Sequence, residues 1–351
     1  MTVRLRPVLA SLPAYVPGRT VPGAIKLASN ETSYPPLPHV VERIAAAAGN
    51  INRYPDTFST ELTQAIADKY ELDFSRVAVG VGSVSLCGQL VQSAADAGEE
   101  VLYAWRSFEA YPIVTAVAGA VSVQVPLKDY VHDLDAMLDR VTDRTRLIFV
   151  CNPNNPTGTA VGRVALERFL SRVPDDVLVV LDEAYREFVD DDDIPDGTRY
   201  LDAYPNVIVL RTFSKAYGLA GMRVGYGLAG DPAVATALRQ TQTAFAVTSL
   251  SQDAALASLE PEAEVQLMER VGEIVGERAR VREELLKMGY AAPPSQANFV
   301  WLPLGERTVE WSRACEDRKI IVRPFAGDGC RVTIGSKPEN DAFLEVAAQL
   351  L

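Results

Sequence analysis

The 351-residue chain contains few of the residues on which several common kinds of catalytic or binding site depend. Its two histidines, His39 and His132, show no ligand spacing, which argues against a His-rich metal site or a Ser-His-Asp triad. Its four cysteines form no CxxC pair, so the sequence indicates neither a disulfide framework nor a zinc site. The 34 Lys and Arg residues are outnumbered by 46 Asp and Glu residues, and the resulting net charge of −12 argues against a broad nucleic-acid-binding surface.

Long apolar runs are also missing. No run approaches the roughly 18–20 residues of a membrane-spanning helix, and the first residues lead into no signal-like stretch, so we expect a cytoplasmic protein. Hydrophobic residues, by contrast, make up 48% of the chain and charged residues 23%, which is ordinary for a globular protein with a substantial core. The length predicts one large domain or two medium-sized ones.

Helical and strand patterns alternate through most of the sequence, which predicts an α/β fold with a mainly parallel central sheet. Three short apolar runs have the pattern of strands covered on both faces: residues 147–151 (LIFVC), 177–181 (VLVVL) and 207–210 (VIVL). After about residue 258 the pattern changes to a long helix over residues 262–288, which Arg278 interrupts. Short strands over residues 297–302, 320–325 and 330–334 and a last helix from about Glu339 follow. We predict a large domain over residues 28–258 and a smaller α+β domain formed by residues 1–27 with 259–351.

Polar side chains follow each of the three predicted strands. The carboxyl ends of parallel strands share one edge of a sheet, where ligands bind, so these side chains should converge on one crevice. They are Asn155 after the first strand, Asp182 and Tyr185 after the second, and Thr212, Ser214, Lys215 and Arg223 after the third.

This set of side chains suits pyridoxal phosphate. A lysine can bind the cofactor's aldehyde covalently, and an aspartate can keep the ring nitrogen protonated, which preserves the ring as an electron sink. A tyrosine and an asparagine can donate hydrogen bonds to the phenolate oxygen of the ring. Hydroxyl groups, an arginine and backbone N–H groups suit the phosphate dianion.

Three longer motifs resemble those of the fold-type I aminotransferases, in particular the histidinol-phosphate aminotransferase family: NPNNPTG (residues 152–158), DEAY (182–185) and RTFSKAYGLAGMRVGY (211–226). The similarity extends over nearly the whole chain through YVPGR (15–19), LASNE (27–31), NRYPD (52–56) and ANFVWLP (297–303). Within that family, the segments at residues 81–92, 105–112 and 295–305 are most similar to actinobacterial phenylalanine or aromatic amino acid aminotransferases.

The resemblance implies a role for each matching residue. Lys215 would bind the aldehyde, Asp182 would face the ring nitrogen, and Asn155 and Tyr185 would donate to the phenolate oxygen. The phosphate would be held by Thr212, Ser214, Arg223, Ser83 and Val84, and the ring would stack on Phe108, where the family often has a tyrosine. Tyr54 resembles the tyrosine that a second subunit contributes to the phosphate, which implies a homodimer. Arg331 matches the anchor of the substrate carboxylate, and the further substrate-pocket candidates are Tyr15, Asn30, Asn298 and Arg323.

Each residue also has a purely structural interpretation. Lys215 taken alone could be an exposed lysine, Asp182 could be a helix N-cap, and Tyr185 and Phe108 could be core aromatics. Arg331 alternates with apolar residues in CRVTIG, so it could lie on the solvent face of a strand.

Other functions remain open at the level of sequence. Residues 225–230 match GxGxxG, the motif of a nicotinamide-dependent dehydrogenase, although the acidic residue follows at once instead of about 20 residues later. A non-catalytic cofactor-dependent regulator would need a DNA-binding extension, which the acidic chain lacks. A decarboxylase or a retro-aldol enzyme would use the same cofactor, but Arg331 holding the carboxylate near the ring plane favours transamination.

Two substrate classes fit this chemistry. Histidinol phosphate carries a dianion, which Arg323 and Arg331 could bind together. An aromatic amino acid needs one carboxylate anchor and an apolar pocket, and the closer resemblance favours this class. The second substrate pair is expected to be glutamate and 2-oxoglutarate, bound in the same site by ping-pong turnover.

Overall fold

The structure, a computed structural model, describes residues 3, 6–8, 12 and 18–351. Within these residues the strands are β1 (Ile25–Lys26), β2 (Val77–Gly80), β3 (Glu100–Trp105), β4 (Val121–Pro126), β5 (Thr145–Cys151), β6 (Leu178–Asp182), β7 (Val207–Thr212), β8 (Gly225–Ala229), β9 (Phe299–Leu302), β10 (Ile320–Ile321), β11 (Arg323–Phe325) and β12 (Gly329–Thr333). The α-helices are α1 (Pro38–Ala47), α2 (Thr60–Lys69), α3 (Gly82–Ala94), α4 (Ala110–Ala118), α5 (Leu134–Leu138), α6 (Arg163–Leu170), α7 (Pro232–Thr241), α8 (Ser249–Ser258), α9 (Pro261–Lys287), α10 (Thr308–Asp317) and α11 (Lys337–Ala348).

The central sheet has the strand order β2-β8-β7-β6-β5-β3-β4. Only β8 runs antiparallel to its neighbours, and the other pairs are parallel. The three predicted strands lie side by side in its centre as β5, β6 and β7, and almost all of their residues are buried. The prediction of an α/β fold with a mainly parallel sheet is confirmed. The strands extend further than the apolar runs, and β6 and β7 end on the polar residues Asp182 and Thr212.

The C-terminal part contains a three-stranded antiparallel sheet of order β11-β12-β9. The first strand among the described residues, β1, pairs in parallel with β10, which ties this early segment to the C-terminal part. That pairing supports the predicted domain division, which stays a prediction. Helix α11 begins at Lys337, earlier than expected, because the Glu339 carboxylate accepts a hydrogen bond from the Ser336 amide at 2.7 Å.

The long helix α9 is continuous, so the expected interruption at Arg278 is wrong. Arg278 belongs to the buried face of the helix. Its guanidinium donates to the carbonyl oxygens of Phe188 at 2.7 Å and Ala297 at 3.1 Å and pairs with Asp190 at 2.7 Å. A buried arginine is tolerated here because these partners satisfy its donors. Across the described residues, no helix is both long enough and apolar enough to cross a membrane.

Candidate active site

A cavity of about 400 Å³ lies where the carboxyl ends of β5, β6 and β7 face the β11–β12 hairpin. The predicted site residues that line it are Asn30, Ser83, Val84, Phe108, Asn155, Asp182, Tyr185, Thr212, Ser214, Lys215, Arg223, Arg323 and Arg331. Three predicted residues are not among them. Tyr15 lies outside the described residues, Asn298 is buried behind Asn30, and the Tyr54 side chain is exposed on the surface.

Asp182 ends β6 at the floor of the cavity and is 3% exposed. Its Oδ2 accepts a hydrogen bond of 2.7 Å from the Tyr111 hydroxyl, whereas its Oδ1 is buried and accepts none from the described residues. Burial raises the pKa of the Asp182 carboxyl, and the hydrogen bond from Tyr111 and the nearby backbone N–H of Ala184 oppose that rise. The N-cap alternative is wrong, because the short helical turn that follows begins only at Arg186 and its N-cap residue is Tyr185.

Lys215 lies in the loop after β7 and is partly buried in the cavity wall, so it is not an exposed surface lysine. Its Nζ donates to the Ser29 carbonyl oxygen at 3.1 Å and lies 6.0 Å from the centre of the Tyr185 ring. Burial, helped by the positive charge of Arg331, lowers the pKa of the Lys215 amine to about 7. A large fraction of the amine is therefore neutral near neutral pH, as a nucleophile or general base requires.

Tyr185 and Asn155 each have one polar atom fixed by a neighbour. The Tyr185 oxygen accepts a hydrogen bond of 2.9 Å from Asn30 Nδ2, and burial raises the pKa of the phenol, so it is a neutral donor. The Asn155 Oδ1 accepts a hydrogen bond of 2.6 Å from Arg331. Because a guanidinium only donates, this contact fixes the orientation of the amide and leaves its NH₂ group as the donor.

The other end of the cavity can bind an anion. The backbone N–H groups of Ser83 and Val84 lie in the first turn of α3, where helix geometry favours negative charge. The Thr212 hydroxyl donates to the Ser214 hydroxyl at 3.0 Å, and Arg223 lies 3.4 Å from Ser214. Gly82 has φ of +72°, a conformation that favours glycine, and a Cβ there would lie 2.7 Å from the Arg223 guanidinium, which would have to move.

Two arginines stand directly opposite each other on the hairpin, since Arg323 of β11 pairs in register with Arg331 of β12. Arg331 is 8% exposed and donates to the Ala28 carbonyl oxygen at 2.7 Å, so the solvent-face alternative is wrong. Arg323 forms an ion pair of 2.7 Å with Glu109. Glu109 thus neutralises the charge of Arg323, whereas Arg331 donates to two neutral oxygens, those of Asn155 and Ala28.

Sequence reasoning missed Tyr111, Ser29 and Glu109. Tyr111 follows Phe108 by three residues, and this short spacing was the signal available for it, since the Tyr111 amide donates to the Phe108 carbonyl oxygen at 3.1 Å across one turn. Glu109 and Ser29 gave no such signal, because each meets its partner only through the folding of distant segments.

The GxGxxG match does not form a dinucleotide-binding turn. Residues Gly225–Ala229 are the antiparallel strand β8, whereas that motif needs a turn between a strand and a helix. Gly225 instead allows β8 to pack closely against the start of α3, since a Cβ there would lie 2.6 Å from the Ser83 amide nitrogen. This removes the sequence evidence for a dehydrogenase.

Comparison with known proteins agrees with this geometry. Residues 22–346 match the family model "Aminotransferase class I and II". The chain belongs to this aminotransferase family. The aromatic amino acid aminotransferase of Streptomyces coelicolor is 56% identical over 351 residues, covering 99% of this chain and 97% of the relative. That of Mycobacterium bovis is 56% identical over 349 residues, covering 99% and 98%.

Solved structures of the family share the architecture. The histidinol-phosphate aminotransferase of Sinorhizobium meliloti, solved with pyridoxal-5'-phosphate, has a TM-score of 0.89 and 31% identity, covering 100% of this chain and 99% of that one. A Thermus thermophilus aspartate aminotransferase mutant, 22% identical with a TM-score of 0.88 and 100% of both chains covered, shares the fold. The expected fold type I architecture is confirmed, and the aminotransferase acts on small amino and keto acids.

Proposed function

We propose that this aminotransferase uses pyridoxal 5'-phosphate to transfer amino groups between aromatic amino acids and keto acids, with glutamate and 2-oxoglutarate as the second pair. The observation that carries the proposal is the convergence of Lys215, Asp182 and Arg331 on one cavity. The relatives at 53–57% identity are aromatic amino acid aminotransferases, which supports the aromatic class.

The residues present fit the cofactor. The buried Asp182 Oδ1, which accepts no hydrogen bond from the described residues, can receive the N–H of a protonated ring nitrogen. Tyr185 and Asn155 supply donors for the phenolate oxygen, and Phe108 lines the cavity as the stacking ring. The phosphate would lie among Ser83, Val84, Thr212, Ser214 and Arg223, where helix N–H groups, hydroxyls and a cation coincide.

Bound pyridoxal phosphate would supply an aldehyde for the substrate amine and a protonated ring that accepts electrons from the substrate Cα. Lys215 Nζ would be the base that removes the proton from the substrate Cα and then delivers it to the carbon on the other side of the nitrogen, so that the carbon–nitrogen double bond shifts to Cα. Its lowered pKa of about 7 suits both directions of transfer. Asp182 holds the proton on the ring nitrogen, and Tyr185 and Asn155 hold the phenolate oxygen anionic.

The hairpin supports a substrate with a single anionic group. Arg331 is buried in the cavity wall and would anchor the carboxylate. Arg323, the second cation that a phosphate ester would use, is already neutralised by Glu109. The part of the cavity that receives the substrate side chain therefore carries little net positive charge. This suits an apolar side chain better than a dianionic phosphate ester.

The proposal includes a homodimer in the cytoplasm. Tyr54 is 82% exposed and stacks on Phe245, with ring centroids 4.5 Å apart, so its hydroxyl is available to reach the phosphate of a second subunit. Sedimentation of the loaded protein tests the dimer. A Tyr54→Phe variant, whose ring is retained, should bind the cofactor about tenfold less tightly, since a hydrogen bond to a charged group is lost.

The test of substrate class is a comparison of kcat/KM for phenylalanine and histidinol phosphate, with 2-oxoglutarate as the common acceptor. We expect phenylalanine to be the better substrate. A strong preference for histidinol phosphate would overturn the aromatic assignment while leaving the aminotransferase intact.

A further inference from the structure

Tyr111 is a completely buried side chain that contacts two parts of the site at once. Its hydroxyl donates to Asp182 Oδ2 at 2.7 Å. Its ring stacks on Phe149 with centroids 4.2 Å apart and an interplanar angle of 8°. It also meets the Phe108 ring edge to face, with centroids 5.5 Å apart. One residue thus links the stacking ring to the carboxylate that faces the ring nitrogen.

This hydrogen bond gives the two Asp182 carboxylate oxygens different roles. Tyr111 donates its hydrogen bond to Oδ2 and is itself fixed by stacking on Phe149. The carboxylate therefore cannot rotate to interchange Oδ1 and Oδ2 without breaking this bond. Oδ1 is the oxygen left to receive a donor, and it is buried without a hydrogen bond from the described residues. A carboxylate that binds a ring N–H needs this kind of fixed orientation.

We propose that Tyr111 is a positioning residue, which fixes the Asp182 carboxylate so that Oδ1 faces the ring nitrogen of the cofactor and which supports Phe108 against the ring face. The inference rests on the proposed use of pyridoxal phosphate.

The chemistry around Asp182 explains why a hydroxyl is needed there. Its other titratable neighbours include the thiols of Cys87 and Cys151 and the phenol of Tyr185, and burial keeps all three neutral by raising their pKa values. Thiols are weak donors, so they do not replace a phenol. Without the Tyr111 hydroxyl, Asp182 becomes more basic and takes the proton from the ring nitrogen, which weakens the electron sink.

The test is the Tyr111→Phe variant, which keeps the ring and removes the hydroxyl. We expect apo-protein to bind pyridoxal phosphate about tenfold to a hundredfold less tightly, the range for losing a hydrogen bond to a buried charge. The ¹⁵N chemical shift of ring-labelled cofactor should move toward that of the deprotonated ring. In an Asp182→Asn background the same change should alter binding by less than about twofold, because the effect acts through the carboxylate.

Tyr103→Phe is the matched control. Tyr103 is also completely buried and its ring lies 5.7 Å from that of Tyr111, but its hydroxyl accepts from Gln124 at 3.3 Å and does not touch Asp182. This variant should keep the wild-type ¹⁵N shift. If Tyr111→Phe fails to fold, difluorotyrosine at position 111 keeps the shape and strengthens the donor, so the shift should move toward the protonated ring.

These experiments separate a failure of the proposed function from a failure of the positioning role. If the wild-type protein does not bind pyridoxal phosphate, the proposed function is wrong. If the wild type binds it and Tyr111→Phe leaves affinity and ¹⁵N shift unchanged, or Tyr103→Phe changes them equally, the positioning role is wrong.

Discussion

The wall of the cavity formed by the central sheet takes its polar groups from strand ends and the loops just after them, whereas the opposite wall takes two arginines from the C-terminal hairpin. In the first wall, some contacts join residues that are close in sequence, such as Thr212 and Ser214, which are two positions apart. In the second wall, Arg331 meets Asn155 across 176 positions and Arg323 meets Glu109 across 214. The polar groups of the sheet wall are thus placed by strand ends and partly by local contacts, although Lys215 also meets Ser29 across 186 positions, whereas the two arginines are placed by long-range folding.

The largest expected effect is in the sheet wall. Lys215→Ala should reduce turnover of phenylalanine by at least about 10²–10⁴-fold, because it removes the general base as well as the covalent attachment point. Steady-state kinetics with added cofactor measures this. Lys287→Ala, which removes an exposed lysine of α9 that pairs with Glu283 and Glu284 and does not line the cavity, should keep wild-type rates. Near-normal turnover of Lys215→Ala would show that another base operates.

In the hairpin wall, Arg331→Gln should lower kcat/KM for phenylalanine by about 10²-fold, since a buried charge partner of the substrate carboxylate is lost. Part of the loss reflects Asn155, whose orientation Arg331 fixes. Arg323→Gln is the control on the facing strand and should cost less, because Glu109 already neutralises that residue. Equal losses in the two variants would contradict the distinction between the two arginines.

A smaller change should redirect selectivity. Glu109→Gln keeps the shape of the side chain and removes its charge, so Arg323 becomes available to a second anionic group. The ratio of kcat/KM for histidinol phosphate to that for phenylalanine should rise about tenfold, a modest value because the ion pair is partly solvated. Paired kinetics on wild type and variant gives this ratio. An unchanged ratio would mean that Arg323 does not contact substrate.

The smallest effect concerns pH. Because the pKa of the Lys215 amine is lowered to about 7, the neutral fraction of this amine rises with pH in the neutral range. The rate at which apo-protein binds the cofactor covalently should therefore rise about threefold from about pH 6.5 to about pH 7.5. Stopped-flow absorbance measures the rate. Arg331→Gln should shift this profile to higher pH, since the positive charge that helps to lower the pKa is gone. A flat profile in the wild type would contradict the lowered pKa of the Lys215 amine.

The same contrast explains what the sequence could predict. The strands β5–β7 and the convergence of their polar ends follow from apolar runs and from the geometry of parallel sheets. The sequence does not determine whether Arg331 faces solvent or the cavity. Strand alternation shows which residues share a face, but the packing of the hairpin against the central sheet determines which face is buried. Arg278 was misread for a similar reason, since its buried partners come from distant loops. Glu109 was missed because its role depends on β11.

If Lys215 and Asp182 hold one cofactor between them, as we propose, the cofactor is attached to Lys215, and the attachment site can be located chemically. Apo-protein is mixed with pyridoxal phosphate, the lysine–cofactor bond is made permanent with borohydride, and the modified peptide is located by mass spectrometry. We expect a single modified residue, Lys215. Modification of a different lysine, or none above the level of denatured protein, would contradict it.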